Sequence, residues 1–158
     1  MIKMLEKIQL TVGVIFLSIF FVAIIIQIIT RHLGISVIWT EEVANYSFIW
    51  SVFMGASVML SRREHFSFDF LLQKLQGSSR ATLLVVIDTI VLLFAVALFY
   101  YGLEAVKQFW NYNWTSLPSM KMGYVWISLP ITGLTMAIYT LQHLIGDFKA
   151  LKGKGVKA

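Results

Sequence analysis

The sequence has no cysteine and few charged residues, and each shortage excludes a class of protein. Without cysteine, the chain can form neither disulfide bonds nor thiolate metal sites. Only 13% of its residues are charged, whereas 58% are hydrophobic. The charged fraction of an ordinary soluble domain is about twice as large. A water-soluble fold would have too few charges to cover its surface, so the composition indicates a membrane protein.

Motifs of enzymes and nucleotide-binding proteins are missing as well. The chain contains no P-loop, no arrangement of Ser, His and Asp typical of hydrolases, and no metal-ligand spacing. The formal charge of +5 does not indicate nucleic-acid binding, because the basic residues lie at the ends of apolar segments and not among stacking aromatic residues. We therefore predict no catalysis, no cofactor, no metal and no nucleic-acid partner.

Four apolar stretches are each long enough to cross a membrane as a helix, which takes about 20 residues. We predict spans over about residues 8–30, 41–61, 81–103 and 122–145, all within one membrane domain of residues 1–158. A signal peptide is the alternative for the first stretch, but its apolar run exceeds the roughly 7–15 residues of such signals. Gln27 is the polar side chain that stands out in the first span, and Pro130 should kink the fourth.

Lysine and arginine are distributed unevenly between the two sides of this domain. Ten of the thirteen lie at the N-terminus, in the loop after the second span or in the C-terminal tail, and the others are Arg31, Lys107 and Lys121. By the positive-inside rule, both termini then lie in the cytoplasm. Four of the five tryptophans fall near the predicted outer interface: Trp39, Trp110, Trp114 and Trp126. Trp50 is the exception.

A short amphipathic helix is predicted between the second and third spans, over about residues 67–76. Leu71, Leu72 and Leu75 recur at helical spacing, while Asp69 takes the opposite face. Such a helix lies on the cytoplasmic surface of the membrane, in contact with phospholipids. We also expect the third span to continue as a helix beyond the membrane, within residues 104–113.

The second span is the most informative. A stripe of small side chains at spacings of three and four runs along it: Ala44, Ser47, Ser51 and Gly55. Another helix can pack closely on such a stripe, either inside this chain or on a partner subunit, and both interpretations stay open. The adjacent acids Glu41 and Glu42 open the span and point about 100° apart, which is poor geometry for sharing a proton. We favour helix capping at the interface, with partner contact, headgroup contact and ion binding as alternatives.

Charged residues follow the second span and enter the third. The first group is compact: Arg62, Arg63, Glu64, His65 and Asp69. We expect it to anchor the span at the membrane surface. The alternative is a corner held by salt bridges, which would orient the interfacial helix. Asp88 lies inside the third span, where burying a carboxylate costs roughly 2.5–3.5 kcal/mol. No basic residue or second acid is expected at its depth, so a structural hydrogen bond is favoured over proton or ion coupling.

Three elements follow one another between Trp39 and Leu75: Trp-x-Glu-Glu from Trp39, Trp50 followed by Gly55-Ala56, and Arg62 with His65 and Asp69. In their order and spacing they resemble the small membrane subunit of tripartite ATP-independent periplasmic (TRAP) transporters, the DctQ family. The rest of the chain agrees more weakly, through a first span that ends in Arg31, four spans in all, and a Leu-Pro-Ile step at residues 129–131.

The resemblance implies a scaffold that works with other subunits in a bacterial inner membrane. In this family a large membrane subunit carries the moving transport domain and the sodium sites. A periplasmic binding protein delivers organic acids, such as dicarboxylates or sialic acids, and no ATP is used. The motif residues would shape the fold and contact the large subunit: Glu41, Glu42, Trp50, Gly55, Arg62, His65 and Asp69. The predicted topology places residues around Trp39 and from Trp110 to Lys121 on the outer side, where we expect the binding protein to make contact.

Two other classes compete with this interpretation. A self-sufficient four-helix multidrug exporter would use Asp88 as its coupling acid. A membrane anchor of a redox enzyme would hold a haem, but the three histidines lie near the ends of the spans, away from a bundle interior.

Overall fold

The computed structural model describes residues 2–63 and 77–154, and the regular secondary structure there is helical. The helices are α1, Ile2–His32; α2, Trp39–Ser61; α3, Gly77–Phe109; α4, Gly123–Trp126; and α5, Ser128–Lys154. Four stretches are long and apolar enough to cross a membrane, and the fourth, Gly123–Lys149, combines α4 with most of α5. The predicted all-helical class, with four helical stretches suited to crossing a membrane, is therefore confirmed. The predicted interfacial helix over residues 67–76 lies outside the described residues, as do His65 and Asp69.

Local sequence explains two details of the helix ends. α3 continues to Phe109, so the expected extension beyond the third span is present over residues 104–109. In the fourth span the helix is interrupted at Ile127, between α4 and α5. Pro130 has no N–H to donate to the carbonyl of Trp126, and the interruption falls in the turn that joins these two residues.

The long helices contact one another in the order α1, α2, α5, α3. α1 and α3 therefore lie on the outside of the bundle. In the most apolar stretch of each outer helix only 11% of the residues are buried, against 50% in the span formed by α4 and α5. Aliphatic side chains are exposed along both outer helices, among them Val22, Ile25 and Leu93. Lipid chains suit such faces, because they are as apolar as the side chains themselves.

Glycines bring the backbones of α3 and α5 into contact. A Cβ atom on Gly133 of α5 would lie 2.5 Å from the backbone nitrogen of Phe99 in α3, and one on Gly102 of α3 would lie 2.8 Å from the nitrogen of Pro130. Neither position has room for a larger residue. Close contact of this kind gains dispersion energy, which matters because lipid supplies no hydrophobic drive between helices.

The small-residue stripe of α2 mostly faces the interior of this chain. Ala44 and Ser47 are buried, and a Cβ atom on Gly13 of α1 would lie 3.7 Å from the carbonyl oxygen of Ser51. For these residues the structure supports packing inside the chain. Gly55 differs, since a Cβ atom there would meet nothing within 4 Å.

Replacing Gly133 by alanine should destabilise the bundle, because the added methyl group has to displace the backbone of α3. Overpacking costs about 1–3 kcal/mol, so the midpoint of thermal unfolding of the purified chain in mild detergent should fall. Gly146→Ala on the same helix is the matched control, since a Cβ atom there meets nothing within 4 Å. Equal unfolding midpoints for the two variants would contradict the close packing of α3 and α5.

Candidate functional site

The C-terminal end of α2 carries two consecutive arginines in a tight turn. The N–H groups of Arg62 and Arg63 donate to the carbonyls of Val58 and Leu60, at 3.2 and 3.0 Å. Arg63 has a φ of 59°, in the left-handed region that few residues other than glycine adopt. A left-handed residue at this position ends the helix. The two arginine side chains then contact different neighbours.

The guanidinium of Arg63 bridges α3 and α5. Its Nη2 lies 3.3 Å from Oδ2 of Asp88 in α3 and 2.7 Å from Oδ2 of Asp147 in α5. The side chain of Asp88 is only 8% exposed, so its charge depends on this cation. The expectation that no basic residue or second acid lies near Asp88 is therefore wrong. The long side chain of Arg63 extends from the turn to the level of Asp88. Counting residues along the spans does not predict this contact.

Arg62 connects the same end of the bundle to α1. Its Nε lies 2.7 Å from Oε1 of Glu6, and Oε2 of Glu6 accepts a hydrogen bond from Ser61 Oγ at 3.3 Å. We call the five charged residues the arginine cluster: Glu6, Arg62, Arg63, Asp88 and Asp147. Because every long helix contributes to it, the cluster fixes α1, α3 and α5 relative to the end of α2.

Glu42 has a comparable role at the other end of α2. Its two carboxylate oxygens accept hydrogen bonds from the backbone N–H groups of Thr115 and Ser116, both at 2.8 Å. The Ser116 hydroxyl donates to the carbonyl of Ile38 at 3.1 Å. No side chain caps the N-terminus of α2, so the predicted helix-capping role of Glu42 is not observed. Its carboxylate instead holds the loop between α3 and α4.

That loop, residues 110–122, is also ordered by its own backbone. The N–H of Trp114 donates to the carbonyl of Met120 at 2.9 Å, and the N–H of Met122 donates to the carbonyl of Tyr112 at 2.8 Å. The ring of Trp114 is buried, with its centroid 4.5 Å from that of Tyr46 on α2. The 110–122 loop is thus a fixed surface at this end of the bundle.

Trp50, the tryptophan that the sequence does not place at an interface, joins three helices. Its ring stacks on Phe16 of α1 with 5.1 Å between centroids, and its Nε1 donates to the carbonyl of Tyr124 in α4 at 3.0 Å. Beside it lies an apolar cavity of about 290 Å³, whose walls include Tyr46 and Trp114. Packing inside the chain therefore accounts for Trp50.

Two predicted site residues at the start of α2 face outward. Trp39 is 38% exposed. Glu41 is exposed as well, and it forms no hydrogen bond or ion pair with any residue that the structure describes. The neighbouring acids Glu41 and Glu42 thus have different surroundings, which their adjacent positions in the sequence do not distinguish.

A chain of buried hydrogen bonds, which the sequence does not readily reveal, links α1, α5 and α2. The hydroxyl of Tyr139 donates to Oε1 of Gln9 at 2.5 Å, and Nε2 of Gln9 donates to Oγ1 of Thr135 at 2.9 Å. That oxygen lies 3.2 Å from Oγ of Ser57. Gln27, the polar residue singled out in the first span, is half-buried, whereas Gln9 is only 3% exposed. An amide at the edge of an apolar stretch is the signal that could have identified it.

These contacts join the helices to one another. Within residues 2–63 and 77–154, no three His, Asp or Glu side chains lie together as metal ligands would. Asp88 is engaged by Arg63 and is therefore not a free acid. The arrangement positions the four long helices relative to one another.

Replacing Arg63 by glutamine should destabilise the bundle, because two carboxylates lose their shared cation. Breaking a buried pair costs about 3–5 kcal/mol. Since the Arg63 side chain is 36% exposed, we expect roughly 1–3 kcal/mol after allowing for solvent screening, measured as a lower unfolding midpoint in detergent. Adding Asp88→Asn should restore part of the loss, since it removes the uncompensated charge.

Lys107→Gln is the matched control for Arg63→Gln. Lys107 pairs with Glu104 at 3.0 Å, but the two side chains are 73% and 52% exposed. Such pairs contribute about 0–1 kcal/mol, so the unfolding midpoint should hardly change. Equal effects of the two substitutions, or a further loss on adding Asp88→Asn, would show that the arginine cluster does not stabilise the bundle.

Comparison with known proteins gives a consistent result. Residues 20–150 match the family model described as tripartite ATP-independent periplasmic transporters, DctQ component. The isethionate TRAP transporter permease protein DctMQ of Oleidesulfovibrio alaskensis is 27% identical over 153 residues, which cover 91% of this chain and 24% of that protein. The sialic acid TRAP transporter small permease protein SiaQ of Vibrio cholerae is 25% identical over 118 residues, which cover 73% of this chain and 66% of that protein. The sialic acid TRAP transporter permease protein SiaT of Haemophilus influenzae is 25% identical over 146 residues, which cover 89% of this chain and 23% of that protein.

The length of the match differs between these relatives. The chain spans about a quarter of the length of DctMQ and of SiaT, and about two thirds of SiaQ. The family model, in contrast, extends over most of this chain, from within α1 to within α5. The chain therefore belongs to the DctQ family, which is described as the DctQ component of TRAP transporters.

Proposed function

We propose that the chain is the small permease subunit of a sodium-coupled TRAP transporter and forms a scaffold for the large membrane subunit. The arginine cluster is the observation that carries this proposal, because it pairs the buried acid Asp88 with Arg63 and joins every long helix to one turn. A subunit built in this way keeps its shape and offers no free acid at this position for driving transport. Movement of the substrate then belongs to the large subunit.

Organic acids are the proposed substrates. One relative is named for isethionate and two are named for sialic acid, which supports acids as a class for this chain too. In the proposed assembly a periplasmic binding protein delivers the acid and the large subunit holds the sodium ions. The family and the four apolar helices support a multi-pass protein of the bacterial inner membrane. The distribution of lysine and arginine supports cytoplasmic termini.

Co-expression with the neighbouring large subunit gives the test. The tagged chain should retain that subunit near one-to-one in mild detergent, and the pair reconstituted with the binding protein should take up an organic acid along a sodium gradient. Asp88→Asn should largely spare uptake, because Arg63 keeps its ion pair with Asp147. Purification of this chain alone as a dimer, with drug export that Asp88→Asn abolishes, would instead identify a four-helix exporter.

The 110–122 loop is the proposed contact for the binding protein. It is fixed to α2 through Glu42, and it exposes Tyr112 by 61% and Met120 by 40%. Lys121 adds a cation, with its Nζ 5.9 Å from the centroid of the Trp110 ring. An ordered surface with an exposed aromatic group and a half-buried lysine is suited to protein recognition.

Lys121→Glu should therefore weaken docking. In the reconstituted complex, the concentration of binding protein that gives half-maximal uptake should rise about threefold to tenfold, where tenfold corresponds to about 1.4 kcal/mol. The maximal rate should stay the same. Lys149→Glu, near the opposite end of the bundle, is the control and should change neither quantity. An unaltered half-maximal concentration for Lys121→Glu would count against the loop as the docking surface.

A further inference from the structure

The outward face of α2 combines features that no lipid-facing helix needs. Its residues recur at spacings of three and four, and we call them the outer α2 stripe: Glu41, Asn45, Phe48, Val52, Gly55 and Met59. The apolar side chains of Phe48, Val52 and Met59 are 47%, 47% and 41% exposed. α1 covers one flank of α2, where the rings of Phe20 and Phe48 lie 5.2 Å apart, and α5 covers another. The stripe is therefore the part of α2 that its own chain covers least.

Two polar side chains in the stripe have no hydrogen-bond or ion-pair partner among the described residues. Glu41 and Asn45 form no hydrogen bond or ion pair within the part of the chain that the structure describes. Asn45 follows the first residue of α2 by six positions, which places it about 9 Å along the helix axis. An amide that faces lipid at this depth loses its hydrogen bonds with water, whereas a neighbouring protein helix can replace them.

Gly55 leaves a gap further along the same stripe. A Cβ atom there would meet nothing within 4 Å, so no neighbouring atom of this chain requires a glycine at this position. Glycine nevertheless lowers helix stability by about 1 kcal/mol relative to alanine. Gly55 is half-buried, at the edge of the stripe. A glycine there allows the backbone of another helix to approach closely, which is how small residues act between membrane helices.

The exposed faces of the outer helices lack this combination. α1 and α3 contain the more apolar stretches, and the exposed hydroxyls of Thr11, Ser18 and Thr89 donate to carbonyls of their own helices. On α5 the exposed Gln142 precedes Asp147 of the arginine cluster by five residues. Lipid therefore suits α1 and α3 better than it suits the outer α2 stripe.

We propose that the outer α2 stripe binds a transmembrane helix of the large permease subunit. That helix carries a cationic or other hydrogen-bond-donating side chain level with Glu41 and Asn45, and it packs an aliphatic side chain against Gly55. The inference rests on the proposed function, which supplies the large subunit as occupant. A second copy of this chain fits less well, because a twofold axis along the membrane normal would place Glu41 against Glu41 and like charges repel.

Cysteine cross-linking tests the position, because the chain has no cysteine of its own. Val52→Cys labels the stripe, and Val22→Cys on α1 and Val96→Cys on α3 are matched controls, since the three valines are 47%, 55% and 53% exposed. Each variant is co-expressed with the large subunit, labelled in membranes with a photoactivatable maleimide and irradiated. We expect Val52→Cys to form an adduct with the large subunit and the two controls to form none.

Gly55→Leu tests the proposed packing independently. The amount of large subunit that co-purifies with this variant should fall at least about tenfold, which corresponds to about 1.4 kcal/mol or more of binding free energy. The control Val96→Leu should leave that amount unchanged. The unfolding midpoint of the isolated Gly55→Leu chain should not fall, because a Cβ atom at this position meets nothing within 4 Å. A lower midpoint would locate the effect inside this chain and contradict the proposal.

The outcomes separate this inference from the proposed function. If the unsubstituted chain retains no large subunit, the proposed function fails and the stripe loses its occupant. If the large subunit co-purifies but cross-links to Val22→Cys or Val96→Cys as strongly as to Val52→Cys, the proposed function stands and the stripe is wrong. An adduct with twice the mass of this chain would identify a second copy as the occupant and overturn the proposal.

Discussion

The rest of the bundle depends on the guanidinium of Arg63. Asp88 lies in an apolar helix, where an unpaired carboxylate is expensive, and Arg63 supplies the opposite charge at 3.3 Å. The same guanidinium pairs with Asp147 at 2.7 Å, so the end of α2 has to lie where α3 and α5 can both reach it. The neighbouring Arg62 pairs with Glu6 of α1. Two residues in one turn thereby determine how three other helices surround α2.

Away from this turn, the bundle is stabilised by groups that suit a lipid solvent. Hydrocarbon provides no hydrophobic drive between helices, so close packing and internal hydrogen bonds have to replace it. Gly102 and Gly133 allow α3 and α5 to touch through their backbones. The hydrogen bonds from Tyr139 to Gln9 and from Gln9 to Thr135 link α5 to α1. Because these groups are buried, a shift of either helix by one residue would leave polar atoms unpaired, which fixes the register of the bundle.

The sequence predicts the helices well and their partners poorly, for a physical reason. A helix that crosses a membrane needs about 20 apolar residues in one run, so the four spans are a local property that can be read directly. The pairing of Arg63 with Asp88, and of Glu42 with the N–H groups of Thr115 and Ser116, joins residues far apart in the chain. Composition and spacing carry no signal for such pairs. The interfacial helix, the roles of His65 and Asp69 and the cytoplasmic location of the termini stay predictions.

A scaffold is useful to a moving partner only if it resists the forces that the partner applies. α2 is held at one end by the arginine cluster and at the other by the hydrogen bonds of Glu42 to the 110–122 loop. In the proposed complex the outer α2 stripe lies between these two fixed ends. A force on the stripe would therefore act on all four long helices together, since tilting α2 alone would separate buried charges. In the proposed complex, the arginine cluster would thus serve transport by keeping α2 in place.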